Sequence, residues 1–456
     1  MEAKFLKVSK NGRYLEDKNG KPFLYLGCTA WELFHKLNRE EASEYLKNRA
    51  DKGFTVIQAV VLAELDGLNT PNAYGDLPLV DLDPARPNEK YFEHVDYIVN
   101  KAEELGLFIG MLPTWGDKVN SGKIFNPRNA VIYGEFLGKR YSNKPIIWIL
   151  GGDRIVSNDT IFNTWKAMAE GLRKGDGGNH LITFHPYGGQ KSSTWFHNEK
   201  WIDFNMYQSG HGQRFNKVYE FAEHDYLLYP VKPFVDGEPA YEDIPIRFWE
   251  FCDWSRPLRV PEEVLDSNRL IKDQSYFRSG FFTGYDIRVH AYWDMLSGAA
   301  GYTYGNNAIW QMFRKGSLPA IPCLFDWHES LDRPGSGYIK YVRKLFESRP
   351  FSMLIPDQSA IYGINPGDST HIRTAVASDG SFLLAYMAVG QPVTITMSKI
   401  RGQTAEAWWY NPRNGEKNVI GNFENKGYRK FIPPSSGIDN DWILVLDDAE
   451  NKYTFE

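Results

Sequence analysis

Between residues 22 and 349 the chain alternates short apolar runs with amphipathic stretches of helical period. Residues 23–31 (FLYLGCTAW), 54–64 (FTVIQAVVLAE), 107–115 (LFIGMLPTW) and 145–153 (PIIWILGGD) are apolar runs of strand length, and 180–188, 202–211, 232–239 and 300–306 supply four more. Helical patterns lie at 39–53, 91–106 and 129–142, the first opened by Asn38 as a cap and the second closed by Gly106. Strands that are apolar without alternation are buried on both faces. Eight of them interleaved with helices predict an α/β chain folded as a (β/α)8 TIM barrel. The pattern changes after Pro350. Residues 374–397 alternate like paired strands around an Asp379-Gly380 hairpin turn, and 405–415 and 441–448 continue the all-β pattern. Two domains are therefore expected: a barrel over 1–350, with a β-hairpin at 4–22 covering its floor, and a β-sandwich over 351–456.

Parallel barrels carry their working residues at the C-terminal ends of the strands. There the sequence puts Thr29 and Trp31, Gln58 and Glu64, Trp115, Asp153 and Arg154, His185, Tyr207 and His211, Asp236 and Glu238, and Asn306 and Trp310. Two segments are the most informative. KPIIWILGGDR (144–154) stops an apolar run at Gly151-Gly152 and presents Asp153, and VKPFVDGEPAYED (231–243) delivers Asp236 and Glu238. Paired acids at two strand ends suit glycosidic bond cleavage, in which one carboxyl protonates the leaving oxygen and the other attacks or steers water. Each acid also has a plainer use, Asp153 as a helix cap and Glu238 in a surface turn.

The neighbouring residues carry the same double reading. Trp31, Trp115 and Trp310 are sugar platforms or packing. His185, Tyr207 and His211 would bond sugar hydroxyls, position Glu238, or satisfy buried backbone. Asp236, two residues before Glu238, shares its strand face and would support it. Arg154 would hold an anionic group or form a structural ion pair. Arg288 reads as a core ion-pair partner, and Glu64 and Asp66 as loop surface.

Composition narrows the classes. A chain of 456 residues, 42% hydrophobic with net charge −5, can bury a large core and shows no broad basic surface for nucleic acid or anionic membrane. No apolar run approaches the roughly 20 residues needed to span a bilayer. The three cysteines form no CxxC pair, and there is no HExxH, GxSxG, P-loop or dinucleotide motif, so the sequence calls for no metal and no cofactor. Aromatic residues make up 15%, which suits a carbohydrate cleft as well as a barrel core. The N-terminus lacks a secretory h-region, an expectation of cytoplasmic location if Met1 is native and of export if a signal was removed. Oligomeric state leaves no mark in the pattern.

The motifs GRYLEDKNGKPFLYLGCTAWELF, KGFTVIQAVV, ILGGDR, HPYGG, MYQSGH, DGEPAYE and YDIRVHAYWDMLSGAAGYTYG occur in that order, followed by WWYNPRNG, FIPPSSG and DWILVL. Together they resemble the apiosidase-like catalytic domain with its appended β domain, as in glycoside hydrolase family 140, over essentially the whole chain. The resemblance implies a retaining, endo-acting enzyme that cleaves the apiose–galacturonate bond of rhamnogalacturonan-II in plant pectin. It implies Asp153 as acid/base and Glu238 as nucleophile, and a polysaccharide as partner. The wider clan usually carries Glu after Asn as its acid, whereas here Asp follows Gly-Gly, so the leaving oxygen must sit closer to strand four. Two alternatives stay open: a retaining β-glycanase on a neutral glycan such as mannan, and a non-catalytic carbohydrate- or collagen-binding protein.

Overall fold

Every side chain of Val56–Leu62 and of Phe108–Thr114 is buried, as expected of strands covered on both faces. The computed structural model describes residues 5–121, 123–253, 255, 258–451, 453 and 455. Lys4, where the expected hairpin begins, lies outside the described residues, as do three positions near the end of the expected C-terminal domain. Eight parallel strands form the barrel: β1 (Tyr25–Thr29), β2 (Val56–Leu62), β3 (Phe108–Thr114), β4 (Ile146–Gly151), β5 (Ile182–His185), β6 (Asn205–Tyr207), β7 (Phe234–Asp236) and β8 (Gly301–Asn306). Their ladder runs β5-β4-β3-β2-β1-β8-β7-β6. The seam between β5 and β6 is bridged instead by single bonds, Asp203 N–H to Ile182 O at 2.9 Å and Thr183 Oγ1 to Phe204 O at 2.7 Å.

Local chemistry sets the helices. Asn38 opens the helix Arg39–Asp51 with a reciprocal capping box to Glu41, and Asn126 does the same for Pro127–Arg140. That second helix packs unusually close to Asp159–Asp176. A methyl group on Gly171 would stand 2.2 Å from Val131 O, and one on Gly134 would stand 2.5 Å from Met168 O. Glycine is required there by contact, not by dihedral freedom.

Three short antiparallel strands, Leu6–Val8, Leu15–Asp17 and Pro22–Phe23, cover the N-terminal end of the barrel. Leu6 and Leu15 join Tyr25, Phe108, Leu181 and Phe204 in the core beneath.

Beyond the helix Pro334–Glu347 the chain forms a six-stranded antiparallel sheet in the order Leu354–Pro356, Ile372–Ala377, Phe382–Met387, Trp442–Asp448, Thr404–Tyr410, Lys417–Glu424. Its second layer is only a two-stranded ribbon, Val393–Thr396 with Tyr428–Phe431. Strand alternation divides its side chains. Leu384, Tyr386, Trp408, Tyr410 and Val445 pack into the barrel core with Tyr292 and Phe346, whereas Leu383, Met387, Trp409, Trp442 and Leu444 form a separate core with Val393 and Ile395. The adjacent Trp408 and Trp409 are thus both packing residues. In place of two equal sheets, the barrel itself covers one face of the larger sheet.

Arg288 anchors this interface. It is almost fully buried on the helix Gly284–Met295 and bonds Asp441 through Nη2 (2.7 Å) and Nε (3.1 Å), while Tyr386 Oη donates to the same carboxylate at 3.0 Å. Removing one partner of a buried ion pair strands the other. Arg288→Ala should therefore lower stability by about 3–5 kcal/mol, read from denaturant unfolding.

Candidate active site

The end of β4 is shaped by three successive left-handed residues: Gly151 (φ +90), Gly152 (φ +119) and Asp153 (φ +48). A side chain on Gly151 would stand 2.2 Å from His185 O, and one on Gly152 would meet the Trp115 ring at 2.7 Å. The glycines let the backbone pass between β5 and Trp115 and turn Asp153 into the barrel mouth. Asp153 is not a helix cap. Asn158 takes that role for Asp159–Asp176, its side chain accepting from Ile161 N–H at 3.0 Å. Arg154 folds back on its neighbour, donating to Asp153 O at 2.7 Å and placing Nη1 3.5 Å from Asp153 Oδ2.

At the end of β7, Glu238 is held from two sides. His211 Nδ1 accepts the Tyr241 amide at 3.3 Å, so the proton sits on Nε2, which donates to Glu238 Oε1 at 3.2 Å. His185, wholly buried on β5, places Nε2 3.1 Å from Glu238 Oε2. Beneath them, Asp236 accepts the Ser209 hydroxyl, the Ser209 amide and the Glu238 amide, the last two at 3.3 Å. Gln58 Nε2 donates to Gly237 O at 2.9 Å from inside the barrel.

These contacts separate the acids electrostatically. Burial alone would raise the Glu238 carboxyl, but the His185 and His211 rings at its two oxygens outweigh it and hold the group at about 2. Burial and the Glu238 charge push Asp153 up to about 6 against His185, Arg154 and His211. Asp236 is pushed to about 7 by burial, opposed by its three hydrogen bonds. Glu64 is driven well above the carboxylate range by burial, then by the charges of Asp153, Glu32 and Glu238.

Asp153 and Glu238 line one cavity of about 460 Å³, with Trp31, Trp115 and Trp310, Arg154, His211 and Tyr241. The Trp31 and Trp115 rings lie 5.2 Å apart and both flank His185. The arrangement can keep one carboxyl as a proton donor and the other as an anion within one pocket.

Two expected site residues lie elsewhere, and a third, Asp236, takes the supporting place behind Glu238. Tyr207 points outward from β6, its hydroxyl donating to Asp294 at 2.7 Å, because strand alternation gives that position to the helix layer. Asp236 is wholly buried behind Glu238 and does not line the cavity that holds Asp153. Asn306 caps the turn Asn307–Trp310 and donates to Asp243 at 3.1 Å, which leaves it beneath Trp310. Arg154 pairs with Asp153, the ion-pair alternative of its two readings. Sequence reasoning missed several residues of the cavity wall, among them Glu64 and Tyr241. Glu64, read as loop surface, lines the cavity, while Asp66 does lie in the loop, bonded to Asn69 and Thr70. Tyr241 stands beside Glu238, and its place three residues after that acid in DGEPAYE was the available signal.

The fold and this mouth define a glycoside hydrolase of the (β/α)8 class. Residues 9–353 match the model for the apiosidase-like catalytic domain, and the chain belongs to that family. Residues 355–447 match a model described as "Putative collagen-binding domain of a collagenase". Among solved structures, one titled only as a glycoside hydrolase is 35% identical, with TM-score 0.87 over 99% of this chain and 98% of that one. A glycoside hydrolase family 5 protein from Bacteroides vulgatus ATCC 8482 is 34% identical, with TM-score 0.86 over 99% of this chain and 94% of the other. No curated protein matches the sequence.

The electrostatic arrangement is directly measurable. Carboxyl-carbon NMR titration should show Glu238 near 2 and Asp153 near 6. His211→Phe, which removes one donor, should move Glu238 upward, and Glu238→Gln should move Asp153 down toward the usual carboxylate range.

Proposed function

We propose that this glycoside hydrolase is a retaining endo-apiosidase that cleaves apiose–galacturonate linkages in rhamnogalacturonan-II side chains. Asp153 would act as acid/base and Glu238 as nucleophile. The observation that carries the reading is that Asp153 just past β4 and Glu238 just past β7 face one cavity with opposite charge bias. In the first step Glu238 attacks the anomeric carbon as the bond to the leaving oxygen breaks, and Asp153 gives that oxygen its proton. The product is a glycosyl ester. Esterification removes the Glu238 charge, which lowers the proton affinity of Asp153 and prepares it to take a proton from the incoming water. Water then attacks the anomeric carbon, Glu238 leaves as carboxylate, and configuration is retained.

Substrate choice rests on family membership and on Arg154, whose guanidinium lines the cavity while paired with Asp153 and could also meet a uronate carboxylate. Trp31, Trp115 and Trp310 support a second reading, a neutral glycan such as mannan, because rings stack on any sugar face. Hydrolysis of rhamnogalacturonan-II side-chain fragments separates the two. Release of an apiose-terminated oligosaccharide supports the first reading; cleavage of mannan with the pectic fragments left intact supports the second.

On the cleaved substrate, Asp153→Asn should lower kcat/KM by about 10²–10⁴-fold, and Glu238→Gln by at least as much. Full activity in either variant would remove that residue from its role. Activity requires Glu238 ionised and Asp153 protonated. The pH profile of kcat/KM should therefore hold between about 2 and about 6 and fall roughly tenfold per unit above that.

A further inference from the structure

The cavity holding Asp153 and Glu238 is not isolated. A neighbouring cavity of about 590 Å³ shares Glu64, Leu65, Arg259 and Ala320 with it. Each is large enough for a ligand group by itself, since small-molecule sites run from roughly 300 to 1,000 Å³. Side by side with a common wall they form a trough. The wall of the second cavity is largely apolar, with Pro71, Leu258, Val260 and Leu318, and suits the CH face of a sugar ring.

Glu64 stands where the two meet. It follows β2 and is partly exposed, yet no described backbone or side-chain group hydrogen-bonds its carboxyl. Its surroundings contrast with those of the nearby acids. Glu32 accepts from the Leu65 amide at 3.0 Å and from His35 at 2.7 Å, and Glu238 has its two histidines. Enclosure of the carboxyl first, and the neighbouring acids Asp153, Glu32 and Glu238 second, favour the neutral form of Glu64, in which one oxygen donates and the other accepts. Such a group matches a vicinal diol.

We propose that the second cavity is a sugar subsite continuous with the cleavage site, and that Glu64 binds hydroxyls of the glycan where it crosses from one cavity to the other. The inference rests on the glycosidase reading of the Asp153–Glu238 cavity but not on a particular sugar. It makes Glu64 a specificity residue, and it makes the enzyme favour chains that extend past the scissile bond over single glycosides.

The test is calorimetric binding to the full chain carrying Glu238→Gln, so that nothing is cleaved. The probes are size-graded rhamnogalacturonan-II oligosaccharides and, separately, mannan oligosaccharides of one to six residues. Affinity should rise at least tenfold with length in one of the two series. Ala73→Trp, which fills the second cavity without touching the first, should abolish that rise while leaving binding of the shortest ligand unchanged. Glu64→Ala should weaken the long ligands about tenfold, and Glu64→Gln, a neutral isostere that still donates and accepts, should stay within about threefold of the parent. A rise in the mannan series alone overturns the pectic substrate and leaves the subsite standing. Affinity that is absent or flat with length in both series, or a length dependence that survives Ala73→Trp, overturns the subsite. Unchanged long-chain binding in Glu64→Ala overturns the role of Glu64.

Discussion

Carboxyl groups crowd the mouth of this barrel, and they cannot all be ionised together. Asp153, Asp236, Glu238 and Glu64 come from the ends of β4, β7 and β2, and burial together with mutual repulsion raises the proton affinity of each. Only Glu238 escapes, because His185 and His211 reach its two oxygens. One pair of contacts thus favours Glu238 as the anion, while burial first, and neighbouring acid charges including that of Glu238 second, raise the proton affinity of the others.

That selection depends on the weakest part of the barrel ladder. His185 ends β5, and His211 follows β6, and between these two strands the sheet is joined by individual bonds from Asp203 and Thr183. Further support comes from outside the barrel. The helix Gly284–Met295 is buried along its whole length. It meets Tyr207 of β6 through Asp294 and the appended sheet through Arg288. The C-terminal sheet therefore braces the layer directly behind Glu238, an arrangement in which its tryptophans are used for packing.

The barrel was legible in the sequence because its signals are local. Continuous apolar runs mark doubly covered strands, Asn38 marks a helix start, and Gly151-Gly152 before Asp153 marks a strand end that must bend. The errors came where a side chain's direction depends on strand phase. Tyr207 lies at a strand end yet faces outward, and Asn306 reaches the rim but spends its side chain on a cap and on Asp243. Glu64 was misplaced for a related reason, since a carboxylate just past a strand has the same composition signal as surface loop.

By itself the sequence determined the order of elements, the paired acids on the fourth and seventh strands, and the change to an all-β pattern near residue 350, all of which follow from periodicity and neighbouring residues. Tertiary structure alone decided how far burial and the two histidines part the proton affinities of these acids, that Tyr207 faces away from the mouth, and that one face of the C-terminal sheet is filled by the barrel. Each of these depends on groups distant in the chain meeting in a medium of low polarity, where distance and burial, not residue type, set the energy.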